Sequence, residues 1–171
     1  MILETPRLTL QPFTLEDLDN LMQLHADPEV NRFFKAQGAW PEEFVKQCLT
    51  GFINDQKTLG YSKFKVSGND GTFLGRTGFS LWKETGETEL GYCFKREHWG
   101  KGYATEVSQA LVRWIFDTTD LEYIIAFAAT ENVASRKVLE KIGMSFTDTR
   151  LVNNVPHAFY KLAREEVARV A

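Results

Sequence analysis

Glu89 to Thr105 reads ELGYCFKREHWGKGYAT, and the run that follows it to Thr118 is amphipathic. Aromatic and other strand-forming residues from Glu87 to Phe94 give way to Gly100 and Gly102. Beyond them Val107, Ala110, Leu111, Trp114 and Ile115 recur at helical spacing. The stretch predicts a strand, a glycine turn and a helix. The first N–H groups of such a helix have no carbonyl to pair with and carry the positive end of the helix dipole, and glycine lets an anion come close to them. The turn is thus a candidate phosphate site; the plainer alternative is a glycine turn that only joins two elements.

Working outward, the chain changes period several times. RLTLQPF from Arg7 alternates as a half-buried strand until Pro12. Thr14 caps a helix, with Asp17 three residues on and an apolar side at Leu15, Leu18, Leu21, Met22 and Leu24. Asp27 and Pro28 begin a second, short helix. Trp40 and Pro41 begin a third, whose Phe44, Val45, Cys48, Leu49, Phe52 and Ile53 make one broad apolar face. Tyr61 to Val66 and Thr72 to Leu81 read as strands joined across SGNDG, and KETG separates the second from the strand near Glu87. After the central helix, YIIAFAA from Tyr123 is a buried strand. Asn132 caps a helix that stops at Gly143, and Phe146 to Leu151 pairs with His157 to Leu162 across NNVP.

Composition bounds the function. With 171 residues, 43% of them hydrophobic, and 13 Phe and 4 Trp, the chain suits one domain over residues 1–171 with a sizeable core. A formal charge of -3 provides no basic footprint for nucleic acid. Cys48 and Cys93 form no framework and read as reduced core thiols. His and Cys are too scattered for a metal set. With no signal peptide and no apolar run near membrane-span length, the expectation is a cytoplasmic protein.

The element order and three of these segments resemble the GNAT acyltransferase superfamily, most closely its branch of ribosomal-protein N-terminal acetyltransferases, the Rim type. The resemblance starts at ETPRLTLQPF and DPEVNRF, is strongest in ELGYCF and HWGKGYATE, and continues in ENVASRKVLEKIGM. The pyrophosphate-loop pattern Q/R-x-x-G-x-G/A falls on Trp99, Gly102 and Ala104, with Trp99 where Gln or Arg is usual, as is common in that branch. The resemblance implies an α+β fold with a mixed, centrally splayed sheet and helices on both faces. It implies direct acetyl transfer from acetyl-CoA to an amine, possibly a ribosomal-protein N-terminus, by a monomer or homodimer.

The same resemblance distributes the roles. Backbone donors of Gly100, Lys101, Gly102, Tyr103, Ala104 and Thr105, beside Trp99, would hold the pyrophosphate. Main-chain groups of Cys93 and Phe94 would meet the pantetheine arm, as would Asn132. Lys101, Arg96 and Arg136 could reach phosphates, though solvated charge explains each equally well. Where many relatives carry a Tyr acid, this chain has Leu139, which leaves Ser135 to protonate the departing thiolate. Glu89 is the candidate base, acting directly or through water, with Glu87 on the same strand face as a competitor. His98 reads as structural and His157, near NNVP, as exposed. The acceptor cleft would lie between the helices from Thr14 to Phe34 and the hairpin near Asn153. Alternatives are an acetyltransferase for a polyamine or aminoglycoside, a non-catalytic acyl-CoA-binding module, and a dinucleotide enzyme. Against the last, Thr105 replaces the third Gly or Ala of G-x-G-x-x-G and repeated βαβ units are missing.

Overall fold

The periodicities mark out the elements of the computed structural model, which describes residues 3–34 and 37–167. In chain order these are β1 (Leu3–Glu4), β2 (Leu8–Pro12), α1 (Leu18–His25), α2 (Glu42–Leu59), β3 (Lys63–Gly68), β4 (Phe73–Leu81), β5 (Thr88–Phe94), α3 (Tyr103–Thr118), β6 (Tyr123–Ala129), α4 (Val133–Lys141), β7 (Ser145–Val152), β8 (Val155–Ala163) and α5 (Arg164–Val167). Among the described residues, eight strands make one sheet in the order β1-β2-β3-β4-β5-β6-β8-β7. Neighbours are antiparallel except β5 and β6, which run parallel and whose register holds one pair, Glu89 opposite Ile125. Beyond that pair the two strands part while their outer edges stay bonded, β5 to β4 as far as Gly75 with Phe94 and β6 to β8 as far as Ala129 with His157. The sheet is mixed and splayed at its centre.

Alternation along β5 sends side chains to two cores. Leu90 and Phe94 join Val107, Leu111 and Ile115 of α3 and Leu139 of α4. Cys93, one pleat over, joins Leu21 and Leu24 of α1 and Val45 and Leu49 of α2. Helices therefore cover both faces, α3 and α4 on one and α1 and α2 on the other. Each fully buried Leu, Ile or Val contributes about 1.5–3 kcal/mol of hydrophobic transfer free energy, an upper figure because unfolded chains already bury some surface.

Two local expectations are corrected. Asp27 and Pro28 do not start a helix: Val30 N–H reaches Asp27 C=O, Asn31 reaches Pro28 and Arg32 reaches Glu29, a succession of single turns. The segment is fixed by a side chain instead. Asn31, fully buried, donates from Nδ2 to the carbonyls of His25 at 2.8 Å and Gly38 at 2.6 Å, and its Oδ1 lies 2.6 Å from His25 Nδ1. The second correction concerns NNVP. The chain reverses over Asn153 and Asn154 alone, with φ of 51° and 64°, and Val155 already pairs with Val152. A two-residue turn with both central φ positive matches the twist of its strands. His157 consequently sits inside β8, 7% exposed, and is not a surface residue.

His25 anchors the segment on the sheet. Its Nδ1–H donates to Asn31 Oδ1, because the Asn31 amide nitrogen is spent on carbonyls. Nε2 is therefore left to accept from Arg76 Nε of β4 at 3.2 Å. The ring stacks on Trp40 at 3.7 Å. Burial, with the Arg76 charge adding to it and the Asn31 bond opposing, lowers the His25 pKa to about 3. A histidine held neutral in the fold stabilises fully above its unfolded pKa and progressively less as pH falls toward the folded value. Denaturant titrations should show a loss of about 2 kcal/mol from this group between pH 7 and pH 5. His25→Gln should remove most of that slope; an unchanged slope would assign the acid sensitivity to other groups.

Candidate active site

Gly100 and Gly102 adopt φ of 72° and 79°, the left-handed region in which side chains are strained, and Gly102 is the residue from which α3 starts. No side chain caps it. The first intrahelical bond runs from Glu106 N–H to Gly102 C=O at 3.1 Å, so the N–H groups of Tyr103, Ala104 and Thr105 have no carbonyl within the helix. A ligand with phosphate oxygens can take them.

The ETPRL segment braces this turn from behind. Arg7 Nε donates to Glu106 Oε2 at 2.6 Å, its Nη1 donates to the Lys101 carbonyl at 3.0 Å, and its guanidinium lies 4.7 Å from the centre of the Tyr103 ring. Thr5 Oγ1 donates to Glu106 Oε1 at 2.7 Å. Burial acts to raise the Glu106 pKa, but the bonds from Thr5 and Arg7 outweigh it and hold the carboxyl below its usual range. At the other end the Trp99 indole N–H donates to the Phe94 carbonyl at 2.8 Å, tying the loop to the end of β5 and leaving that carbonyl one lone pair. The Lys101 side chain is exposed, with no ion-pair partner among the described residues. Cys93 turns its thiol into the α1 and α2 core. Burial raises that thiol to about 11, and the alternation of the β4–β5 ladder turns the Cys93 main chain toward Arg76 and not toward the gap.

Across the gap, Asn132 caps α4 by accepting the Ser135 N–H at 3.2 Å. Ser135 Oγ is 2.8 Å from Tyr92 Oη, which is also 3.0 Å from the Ser135 carbonyl oxygen. With Tyr92 donating to that carbonyl, both hydroxyls join one chain of hydrogen bonds. Burial raises the Tyr92 phenol well above its ordinary range, so it remains a donor. Leu139 is 1% exposed within the core and offers no group to the gap. The two arginines considered for phosphates have other partners: Arg136 donates to Tyr160 Oη and the Thr130 carbonyl, and Arg96 pairs with Asp27 at 3.1 Å.

Glu89, half buried, accepts from Ser80 Oγ at 3.0 Å on the α1 and α2 face, the face opposite Tyr92. Glu87 lies ahead of β5 and accepts from Thr85 Oγ1 at 2.6 Å, so it does not stand beside Glu89 as a rival. His98 packs against Tyr103 at 6.3 Å, and burial lowers its pKa. On Glu89's face a cavity of about 940 Å³ opens between Pro28, Glu29, Arg32, Phe33 and Phe34 on one side and Val152, Asn153, Val155 and His157 on the other. Its floor is Trp82, Phe127 and Ala129, with Trp82 and Phe127 edge to face at 4.7 Å. Phe127 lies two residues along β6 from Ile125, the partner of Glu89. Tyr92 and Arg7 are site features the sequence did not disclose. ETPRL stood out only as a pattern, and nothing local pairs Arg7 with Glu106, 99 residues away.

Residues 7–145 match the model of the acetyltransferase (GNAT) domain family. An uncharacterized N-acetyltransferase, p20, from Bacillus licheniformis is 35% identical over 145 residues, 82% of this chain and 80% of that one. A solved GNAT-family acetyltransferase from Bacillus anthracis superposes with a TM-score of 0.81 at 26% identity, covering 97% of this chain and 100% of that one. RimL, a ribosomal L7/L12 alpha-N-protein acetyltransferase solved with coenzyme A, shares the fold, with a TM-score of 0.82 at 16% identity over 95% of this chain and 98% of that one. The donor of the family is acetyl-CoA.

Acetyl-CoA at a hundredfold excess over Kd should stabilise the protein by about 2.7 kcal/mol. For a domain of this size that is a rise in Tm of roughly 5–10 °C. Gly102→Glu should remove the rise, since it places a side chain at a strained φ and a carboxylate among the unpaired N–H groups. A full rise in that variant would locate the donor elsewhere.

Proposed function

The chain belongs to the GNAT acetyltransferase family, and on that premise we propose that its acceptor is the α-amino group of a protein or peptide N-terminus. The observation that carries this reading is the cavity of about 940 Å³ on the Glu89 face. Pockets for small ligands span roughly 300–1,000 Å³, so this one has room for several residues of an extended chain. Its apolar floor of Trp82 and Phe127 suits the first side chains of a peptide, and Glu29 and Glu131 among its lining residues suit the charge of the amine.

In the proposed reaction the amine nitrogen attacks the thioester carbonyl, the C–N bond forms and the C–S bond breaks. Glu89 takes the proton from the amine, directly or through one water. Ser135 gives a proton to the departing thiolate and regains one through Tyr92 or solvent. Backbone groups along the parted edges of β5 and β6, with Asn132, orient the donor arm. An α-amine has a pKa of about 7.7–8.0 against about 10.4 for a lysine side chain, so near neutrality a far larger share is already nucleophilic. A carboxylate base acting through water is matched to that acceptor.

Short peptides beginning with Ala or Ser should be acetylated, and blocking the terminus should abolish turnover even when an internal lysine remains. Glu89→Gln should lower kcat by about 10²-fold or more. Ser135→Ala should slow transfer while leaving acetyl-CoA affinity within a few fold. Turnover of a polyamine or aminoglycoside with none of any peptide would replace the acceptor assignment, and acetyl-CoA binding without turnover of any amine would replace the enzyme reading with a binding module.

A further inference from the structure

Lys63 lies on β3 with its side chain on the same face as Glu89, 6% exposed, and its ammonium donates to the Gly78 carbonyl at 2.9 Å. Lys63 is opposite Gly78 in the β3–β4 register, and Gly78 is opposite Gly91 in the β4–β5 register. Two glycines side by side leave a shallow depression in the sheet, and the lysine lies across it. A Cβ on Gly91 would come 3.1 Å from Lys63 Nζ and 3.3 Å from Glu89 Oε1, so ammonium and carboxylate converge on the space that Gly91 leaves open. The other oxygen, Glu89 Oε2, accepts from Ser80.

We propose that Lys63 is a positioning residue for acetyl transfer: its ammonium, fixed on the Gly78 carbonyl, faces one carboxylate oxygen of Glu89 across the space over Gly91 while Ser80 holds the other, setting the base where β5 parts from β6. The inference rests on the reading of Glu89 as base and adds the group that aims it. A buried ammonium is costly unless a negative charge faces it, and a carboxylate beside a cation is favoured in the form that accepts a proton. The charges facing Lys63 are Glu89 from β5, Arg76 from β4 and Asp55 from α2. Burial lowers the lysine pKa to about 8; Glu89 and Asp55 oppose that change and Arg76 adds to it. A water-filled surface pair would have none of this directional hold.

The test is a double-mutant cycle of Lys63→Met and Glu89→Gln, with kcat measured and acetyl-CoA binding followed by the rise in Tm. Lys63→Met should lower kcat roughly tenfold or more, as loss of alignment does, with KM for acetyl-CoA little changed. In the Glu89→Gln background the same substitution should cost less than about threefold, because a residue acting through Glu89 has nothing left to aim. Gly91→Ala keeps both charges but pushes them apart, and should reproduce the loss of kcat if Lys63→Met does not fold. A Lys63→Met enzyme with unchanged kcat, or a full loss added on top of Glu89→Gln, overturns the role of Lys63 alone. Full activity of Glu89→Gln instead overturns the base reading on which it rests.

Discussion

One missing stretch of hydrogen bonding governs the molecule. β5 and β6 meet at Glu89 and Ile125 and then part, although parallel neighbours in a sheet ordinarily bond along their length. The divergence is imposed from outside: β4 holds the far edge of β5, β8 holds the far edge of β6, α3 packs beneath β5 and α4 beside β6. Main-chain groups along the facing edges need partners once water is excluded, since an orphaned buried amide costs about 1–3 kcal/mol. A donor arm carrying amides of its own supplies them, in the manner of an added strand. The opening also lies between two faces that present different groups, Glu89 on one and the Tyr92 and Ser135 hydroxyls on the other.

The loop ahead of α3 depends on a different constraint. Unpaired N–H groups bind an anion well only if they are already held in place, and glycine at Gly100 and Gly102 makes the turn possible without making it rigid. Rigidity comes from Arg7 and Thr5 on Glu106, from Arg7 on the Lys101 carbonyl, and from the Trp99 indole on the Phe94 carbonyl. Trp99 therefore has a structural role at a position where the general pattern carries Gln or Arg.

What was legible in the sequence was local. Helical and strand periods, Asn132 as a cap, Gly143 as a stop and the Gly100 to Thr105 turn are all set by residues within a few positions of one another, and each element appears where its pattern falls. The failures are equally local in cause. Asp27 and Pro28 are a sound helix start, but the following residues answer to Asn31 and its distant carbonyls. NNVP contains three turn formers, and only register shows that two of them make the turn and that His157 is strand. The pairs that complete the site were invisible for another reason. Arg7 with Glu106 and His25 with Arg76 are 99 and 51 residues apart, and no pattern within one element predicts a contact between two.

The wall formed by Pro28 to Phe34 shares little with the rest of the site. It contributes no strand to the sheet; its polar attachments run from Asn31 to His25 and Gly38, from His25 to Arg76 and from Asp27 to Arg96, and Val30 and Phe34 pack against the α1 and α2 core. Apart from Arg96 on Asp27, the loop before α3 and its braces use none of these residues. Selection can therefore rewrite Glu29, Arg32, Phe33 and the tip at Asn153 as freely as an antibody rewrites a loop on a fixed sandwich. Provided Asn31 and His25 stay, these surface-facing positions can drift, and the shape of the cavity with them, while the loop before α3 is inherited intact.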